Sequence, residues 1–195
     1  MQQEIRLYLE KLSKENFDNL IDLRTKFIGS ERTRCLDTSI INRLKEEAFS
    51  KDSKYEAYLG KIGVDWVAYV IITMSYSVFI ALPSLSVDEI FVLDKFRGLG
   101  IGRAMFEFCL RKAKKRGCGK IEIQVPNRNK KAKSFFEFNS AVQSDVTCYK
   151  MDPFDTIIGK PSGKMTYADF MRIKSKSKIK LARLNSRADD NRQLP

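Results

Sequence analysis

The chain has 195 residues, and 36 Lys and Arg against 24 Asp and Glu give it a formal net charge of +12 at pH 7. It contains no histidine, which excludes Ser-His-Asp and Cys-His catalysis and leaves a carboxylate, water, Tyr, Lys or Cys as general base. The positive charge indicates either an anionic partner, such as nucleic acid, a ribosome-like particle, an anionic cofactor or a membrane surface, or simply a solvated basic surface.

The first 62 residues predict two strands and two helices from their hydrophobic periodicity. Apolar and polar residues alternate where we expect strands, and apolar residues recur at helical spacing behind polar N-cap residues. The predicted elements are a strand over 5–9, a helix over 14–28 after Ser13, a helix that begins at Asp37 or Thr38, and a strand over 55–62.

Residues 66–82 carry no charge, and such a run raises the possibility of a membrane-spanning helix. The run is rich in β-branched residues and contains several hydroxyl groups, which favours two buried strands joined by a turn near 74–77. Pro83 and Ser84 are expected to end the second of these strands. The chain is therefore expected to have no membrane segment, and its polar N-terminal residues lack the apolar run of a signal peptide.

The next part of the chain predicts alternating strands and helices. The first of these helices ends in a run rich in Lys and Arg, and Gly117 terminates it. The predicted elements are a strand over 87–92, a helix over 102–116, a strand over 120–125, a loop over 126–129, a helix over 130–138 and a last strand over 142–151. Together these elements predict an α/β fold with a mixed central sheet of about six to seven strands flanked by helices, in one domain over 1–152.

The remaining residues, 153–195, differ in composition from this domain. From residue 155 onward the chain has ten Lys or Arg against four Asp, a net charge of +6 that is half of the total. Such a segment buries little apolar surface, so we expect a partly helical or disordered basic tail. It would either make non-specific contact with nucleic acid or serve only as a solubilising terminus.

The four cysteines, Cys35, Cys109, Cys118 and Cys148, are scattered and form no C-x-x-C pair. This spacing predicts a reduced, cytoplasmic protein without a disulfide framework. Together with the missing histidine, it also predicts that the protein holds no metal.

Three glycines at alternate positions, Gly98, Gly100 and Gly102, lie between a predicted strand and a predicted helix. A turn of this kind leaves several N–H groups unpaired, with the positive end of the helix dipole behind them. We refer to residues 97–103 as the glycine corner, and its chemistry predicts an anion site, with a phosphate group as the favoured anion.

Common nucleotide-binding motifs do not fit the glycine corner. A P-loop needs Lys and Ser or Thr after its last glycine, where this chain has Arg103 and Ala104. The dinucleotide fingerprint needs the spacing G-x-G-x-x-G, and a kinase loop needs H-R-D and D-F-G motifs that the sequence lacks.

A different pair of patterns does fit. Arg97, Gly100 and Gly102 form R-x-x-G-x-G. A second pattern, N-x-x-A-x-x-F-F, is formed farther along by Asn129, Ala132, Phe135 and Phe136. In these two motifs and their separation, residues 1–152 resemble the GNAT superfamily of acyl-CoA-dependent N-acyltransferases, and the resemblance implies the GNAT fold with acetyl-CoA as acyl donor.

The resemblance also implies how acetyl-CoA would be bound. The pyrophosphate would lie on the N–H groups of 98–103, and the strand before the corner would diverge from the next strand to admit pantetheine. The acetyl carbonyl would accept an N–H near Val92, and Asn129 would bind pantetheine or anchor the following helix. The binding residues implied are Ile90, Phe91, Val92, Arg97, Gly98, Leu99, Gly100, Ile101, Gly102, Arg103, Asn129 and Phe136.

The chain departs from the family pattern at two catalytic positions. Many members have a Tyr as general acid where this chain has Phe136, and many have a Glu as general base where it has Gln124. Strand alternation predicts that Asp88 shares a face with Ile90 and that Glu89 lies on the other. The candidate catalytic residues are therefore Asp88, Glu122 and Tyr149.

Two functions follow from these observations. The first is transfer of an acetyl group from acetyl-CoA to a primary amine, by direct attack in a ternary complex. The net charge favours a protein or nucleic-acid-associated acceptor over cationic small molecules such as aminoglycosides, and the acceptor would be selected by residues 14–50 and 74–86. The alternative is a weak or inactive GNAT-fold module that binds nucleic acid or a ribosome-like partner through its basic surface and tail.

Overall fold

The computed structural model describes residues 6–31 and 36–148. The chain divides into two compact units between Gln143 and Ser144, and the helices and strands of the described residues all belong to the first unit. The elements are β1 (Tyr8–Lys11), α1 (Phe17–Glu31), α2 (Thr38–Phe49), β2 (Glu56–Ile62), β3 (Asp65–Ser77), β4 (Leu82–Val92), a 3-10 turn (Asp94–Phe96), α3 (Ile101–Lys115), β5 (Lys120–Ile123) and α4 (Lys130–Phe138).

The strands form one mixed sheet in the order β1-β2-β3-β4-β5. The first three pairings are antiparallel, and β4 pairs with β5 in parallel. The mixed α/β class is confirmed, but the sheet has five strands in the part of the chain that the structure describes, not six to seven. Helix α3 packs against one cluster of buried side chains on the sheet, and α1 packs against a second cluster.

The uncharged run over 66–82 is not two strands with a turn at 74–77. It forms most of β3 and then a turn at 78–81, and β4 begins at Leu82 and passes through Pro83 and Ser84. The prediction was wrong because it placed Val78 and Phe79 in a buried strand, whereas their side chains are 88% and 98% exposed at the tip of the β3–β4 hairpin.

The last strand predicted, over 142–151, is not present over 142–148, and residues 149–151 lie outside the described ranges. Val142 and Val146 are 93% and 77% exposed. Their alternation with polar residues therefore does not reflect a face buried on the core.

Strand β4 contains a bulge that reverses the predicted alternation. Ile71 of β3 pairs with Glu89, whereas the next residue, Ile72, pairs with Val87, so Asp88 is the extra residue. Val87 and Ile90 therefore lie on the same side of the sheet and pack into the α3 cluster. The prediction that Asp88 shares a regular strand face with Ile90 was wrong, because an extra residue shifts every following side chain to the opposite face.

An ion-pair cluster attaches the end of α3 to β2. The Glu56 carboxylate lies 2.9 Å from Lys112 Nζ and 2.5 Å from Arg116 Nη2, and it accepts a 2.7 Å hydrogen bond from the Tyr58 hydroxyl. Burial acts to raise the pKa of Glu56, but the hydrogen bonds from Tyr58, Lys112 and Arg116 outweigh it and lower the pKa to about 2. The basic end of α3 therefore has a specific partner on the sheet as well as the helix dipole.

We expect Glu56→Gln to lower the free energy of unfolding at pH 6 by about 1–2 kcal/mol, a value reduced for solvent screening. Because the pKa of Glu56 falls from 4.5 to about 2 on folding, its stabilisation is complete above pH 4.5 and disappears as pH approaches 2. Urea titrations between pH 2 and 6 should show wild type and variant converging at the acidic end.

The matched control is Glu107→Gln, which removes an exposed ion pair with Arg103 and should change stability by less than about 0.5 kcal/mol. A difference between wild type and Glu56→Gln that stays constant down to pH 2 would contradict the assigned role of this carboxylate.

Candidate active site

A cleft opens where β4 and β5 separate. Their pairing runs from Ser84 opposite Lys120 to Val87 opposite Ile123, where β5 ends, whereas β4 continues to Val92. The cleft has a volume of about 550 Å³ and is bounded by α1, α2, β4, the residues after β5, and α4. One edge of β4 beyond the bulge therefore has no strand partner beside it in the described sheet.

The glycine corner follows β4 after a 3-10 turn (Asp94–Phe96) and is shaped by two left-handed residues. Gly98 has φ 78° and Gly100, the N-cap of α3, has φ 80°. An added Cβ at either position would meet no atom within 4 Å, so the positive φ, and not lack of space, is what requires glycine there. The first N–H groups of α3 have no acceptor within the helix and are available to a ligand.

The third glycine of the corner, Gly102, differs from Gly98 and Gly100 in its surroundings. It lies within α3, and an added Cβ would lie 3.5 Å from Phe135 Cε2 and 3.8 Å from Val92 Cγ2. These are ordinary packing distances, and they place the first turn of α3 directly against α4 and the end of β4. Of its neighbours in the corner, Leu99 is 49% exposed, whereas Ile101 is buried beneath the helix.

The two arginines of the corner already have partners. Arg97 Nε donates to the Val92 carbonyl at 3.0 Å and Arg97 Nη2 lies 2.8 Å from Asp94 Oδ1, so this side chain closes the turn after β4. Arg103 Nε lies 3.0 Å from Glu107 Oε1 one turn along α3. The Arg97 side chain is 49% exposed and that of Arg103 is 61% exposed, so both carry their charge at the surface of the corner.

The binding residues expected on β4 lie on opposite sides of the sheet. Ile90 and Val92 are half-buried against the α3 cluster. Phe91 is 6% exposed and packs against Phe27 and Tyr69 in the α1 cluster. The Phe91 side chain is thus part of the core and not of the cleft lining.

Asp88 lines the cleft at the bulge, and its side chain is exposed. Its Oδ1 accepts hydrogen bonds from Ser86 Oγ at 2.8 Å and from Thr73 Oγ1 at 3.2 Å, so its other oxygen is not used in either bond. The bulge thus presents a carboxylate to the cleft.

Glu122 does not line this cleft. Its carboxylate lies 2.8 Å from Lys120 Nζ and accepts a 3.2 Å hydrogen bond from Ser84 Oγ, and the hydrogen bond from Lys120 lowers its pKa below the ordinary value. A carboxylate with a lowered pKa is a weaker base. The third candidate, Tyr149, lies outside the described residues.

The second motif forms the floor of the cleft. Asn129 Oδ1 accepts the Ala132 N–H at 3.0 Å and so caps α4, which is the anchoring role expected of it. Phe136 is 7% exposed, lines the cleft and packs against Phe106 and Phe135. Gln124 lines the cleft as well, and neither its amide nor the Phe136 ring can supply a proton at neutral pH.

A partly buried ion pair in the cleft wall was not predicted from the sequence. Arg24 on α1 donates from Nε to Glu89 Oε2 at 2.8 Å and from Nη2 to Oε1 at 2.5 Å, and the Tyr69 hydroxyl donates to Oε2 at 2.9 Å. Burial, reinforced by Glu89, raises the pKa of Tyr69 far above its ordinary value. A charged Glu89 within an apolar strand was the available signal, but its partner is 65 residues away.

Comparison with known proteins agrees with this geometry. The model of the acetyltransferase (GNAT) family matches residues 17–139. No curated protein matches the chain by sequence.

Several solved structures share the fold at low sequence identity. A ribosomal-protein-alanine N-acetyltransferase from Brucella melitensis biovar Abortus 2308 is 20% identical over 75% of this chain and 99% of its own, with a TM-score of 0.61. A possible acetyltransferase from Clostridium difficile 630 is 15% identical over 76% and 98%, with a TM-score of 0.67. An aminoglycoside N-acetyltransferase in complex with CoA is 12% identical over 78% and 99%, with a TM-score of 0.65. The matched motifs, the fold and the family model together establish that this chain belongs to the GNAT family and is an acyl-CoA-dependent N-acetyltransferase.

Proposed function

We propose that the protein transfers the acetyl group of acetyl-CoA to a primary amine of a protein or of a nucleic-acid-associated acceptor, in a single ternary complex. The observation that carries this proposal is the cleft between β4 and β5, which has an exposed Asp88 at the bulge of β4, the strand that precedes the glycine corner in the chain. This arrangement supports a base on β4 and a donor site at the corner that follows it.

The donor half of the site is the glycine corner and the unpaired edge of β4. The N–H groups at the start of α3 suit the CoA pyrophosphate, because they are unpaired and backed by the helix dipole. Arg97 and Arg103 add positive charge at that end. Pantetheine would lie along β4 beyond Val87, and an N–H near Val92 would polarise the acetyl carbonyl.

The acceptor half is the part of the cleft around Asp88. Asp88 would take a proton from the bound ammonium, and the amine would then attack the thioester carbonyl. The C–N bond forms, the nitrogen loses its second proton to solvent, the C–S bond breaks, and CoA leaves as a thiolate. Because Phe136 has no proton to give, the thiolate would be protonated by solvent, which is acceptable for a leaving group as stable as a thiolate.

The acceptor class is supported by charge and by the cleft. A net charge of +12 repels free polyamines and aminoglycosides and attracts amines carried by acidic particles. The cleft wall also contains Arg24 and Arg128 beside Asp88 and Glu89, which is not the strongly acidic wall that a polycation needs. One structural neighbour is named as a ribosomal-protein-alanine N-acetyltransferase.

The test is release of free CoA thiol from acetyl-CoA with three acceptors at equal amine concentration: short peptides, spermidine and kanamycin. We expect the peptides to give the highest kcat/KM, with an acceptor-free reaction as control for hydrolysis. Turnover only with spermidine or kanamycin would overturn the acceptor class. Acetyl-CoA binding without turnover on any acceptor would favour the inactive, nucleic-acid-binding module.

A further inference from the structure

The Arg24 side chain is fixed in the wall of the cleft and has one donor to spare. Its Nε and Nη2 both bind the Glu89 carboxylate, at 2.8 and 2.5 Å, and the side chain is 12% exposed. The remaining nitrogen, Nη1, is buried and has no hydrogen-bond partner among the residues that the structure describes. Buried donors without a partner are rare in native proteins, and a missing ligand is one reason for them.

The direction of this donor follows from the shape of the group. A guanidinium is planar, with its N–H bonds fixed in the plane. Because Nε and Nη2 face Glu89, Nη1 is directed away from that carboxylate. Arg24 also lines the cleft together with Asp88 and Glu89. Nη1 itself is enclosed by the cleft wall, so an acceptor in the cleft reaches it when the side chains of that wall shift.

The charge of the pair selects what this donor can bind. Glu89 neutralises Arg24 through two charge-assisted hydrogen bonds. A carboxylate on a ligand would therefore be attracted only weakly to the Arg24–Glu89 pair. A neutral carbonyl oxygen does not depend on net charge, because it binds by accepting a hydrogen bond from the N–H. Asp88, which neighbours Glu89 in the chain, lines the same cleft, so an amine held at Asp88 would carry its adjacent groups towards Arg24.

We propose that Arg24 binds the acceptor, with Nη1 donating to the carbonyl oxygen next to the reacting amine. This inference rests on the proposed acetyl transfer and narrows its acceptor to an α-amine, as at the N-terminus of a polypeptide. In an α-amine the carbonyl is attached to the carbon that carries the nitrogen. In a lysine ε-amine the whole aliphatic side chain separates the two, so the same contact cannot form.

The experiment compares two peptides on the full-length protein. One has a free α-amine and no lysine, and the other has the same sequence with a blocked N-terminus and one internal lysine. The measured quantities are kcat/KM and, separately, calorimetric binding of each peptide in the presence of CoA. We expect the wild type to prefer the α-amine peptide by about tenfold or more, as expected for one hydrogen bond donated by a charged group.

Arg24→Lys keeps a cation for Glu89 and removes Nη1. It should lower kcat/KM and affinity for the α-amine peptide by about tenfold and change those for the lysine peptide by less than about twofold. Tyr69→Phe removes a hydrogen bond to Glu89 but leaves Nη1 in place, so it should keep the preference. If Arg24→Lys does not fold, the double variant Arg24→Gln with Glu89→Gln replaces it, because it removes both charges together.

This role would be overturned if the wild type had equal kcat/KM for the two peptides. It would also be overturned if Arg24→Lys lowered kcat/KM and affinity equally for both peptides. If neither peptide is acetylated, the calorimetric binding of the two peptides still tests the role of Arg24. An Arg24-dependent binding preference then supports the inference while the proposed transfer fails, and absence of peptide binding overturns the inference.

Discussion

Replacing Gly100 with glutamate is expected to abolish the thermal stabilisation that acetyl-CoA gives the wild-type protein. Gly100 has φ 80° at the N-cap of α3, and an L-residue in this left-handed conformation costs about 1–2 kcal/mol. The new carboxylate also stands where the pyrophosphate is proposed to lie and repels it. At a hundredfold excess over Kd, acetyl-CoA adds about 2.7 kcal/mol of stability, which corresponds to a rise in Tm of about 5–10 °C for a domain of this size.

The control for this prediction is Gly63→Glu. Gly63 lies in the β2–β3 turn with φ 58°, and an added Cβ there also meets nothing within 4 Å. The two variants therefore introduce the same charge and similar backbone strain at different places. Differential scanning fluorimetry should show a lower starting Tm for both but an acetyl-CoA shift only for Gly63→Glu. A full shift in Gly100→Glu would contradict a coenzyme site at the glycine corner.

The parts of the site that could be predicted are those encoded by local spacing. The glycine corner depends on residues within one turn of chain, and Asn129 caps α4 through the N–H of Ala132, three residues away. The bounds of α4 agree with the prediction because the cap, the apolar face and the terminating residues all lie within one short segment. Such signals are complete in the sequence itself.

The parts that could not be predicted depend on contacts between distant segments. The bulge at Asp88 exists because β3 and β4 pair with a shift between Ile71 and Ile72, and no single-strand pattern contains that information. Arg24 and Glu89 meet across 65 residues. In a plain alternating strand, Asp88 and Glu89 would occupy opposite faces as ordinary charges. With the bulge, one is free in the cleft and the other is bound in its wall.

The two carboxylates differ in what they can do. Both oxygens of Glu89 hold donors from Arg24, and one also accepts the Tyr69 hydroxyl. Glu89 is therefore held in the cleft wall as the partner of Arg24. Asp88 instead accepts hydrogen bonds from two neutral hydroxyl groups and is exposed to the cleft. We therefore propose that Glu89 positions Arg24 and that Asp88 is the carboxylate that serves in proton transfer.

Asp88→Asn is therefore expected to lower kcat for acetyl transfer by about 10²–10³-fold, the usual effect of removing a general base. Asparagine has the same shape, and its carbonyl oxygen can still accept from Ser86 and Thr73, so the bulge and the Tm should be retained. Because the residue acts on the amine and not on the coenzyme, the KM for acetyl-CoA should change by less than about twofold. Steady-state kinetics with a peptide acceptor measure both constants.

The matched control is Glu122→Gln, which removes a carboxylate from the neighbouring strand that does not line the cleft and is held by Lys120 and Ser84. It should leave kcat within about twofold. The loss in Asp88→Asn should also shrink as pH rises, because a larger fraction of the amine is then already deprotonated and needs no base. If Asp88→Asn keeps wild-type kcat at neutral pH while Glu122→Gln loses it, then proton transfer takes place at β5 and the cleft at the bulge only binds the acceptor.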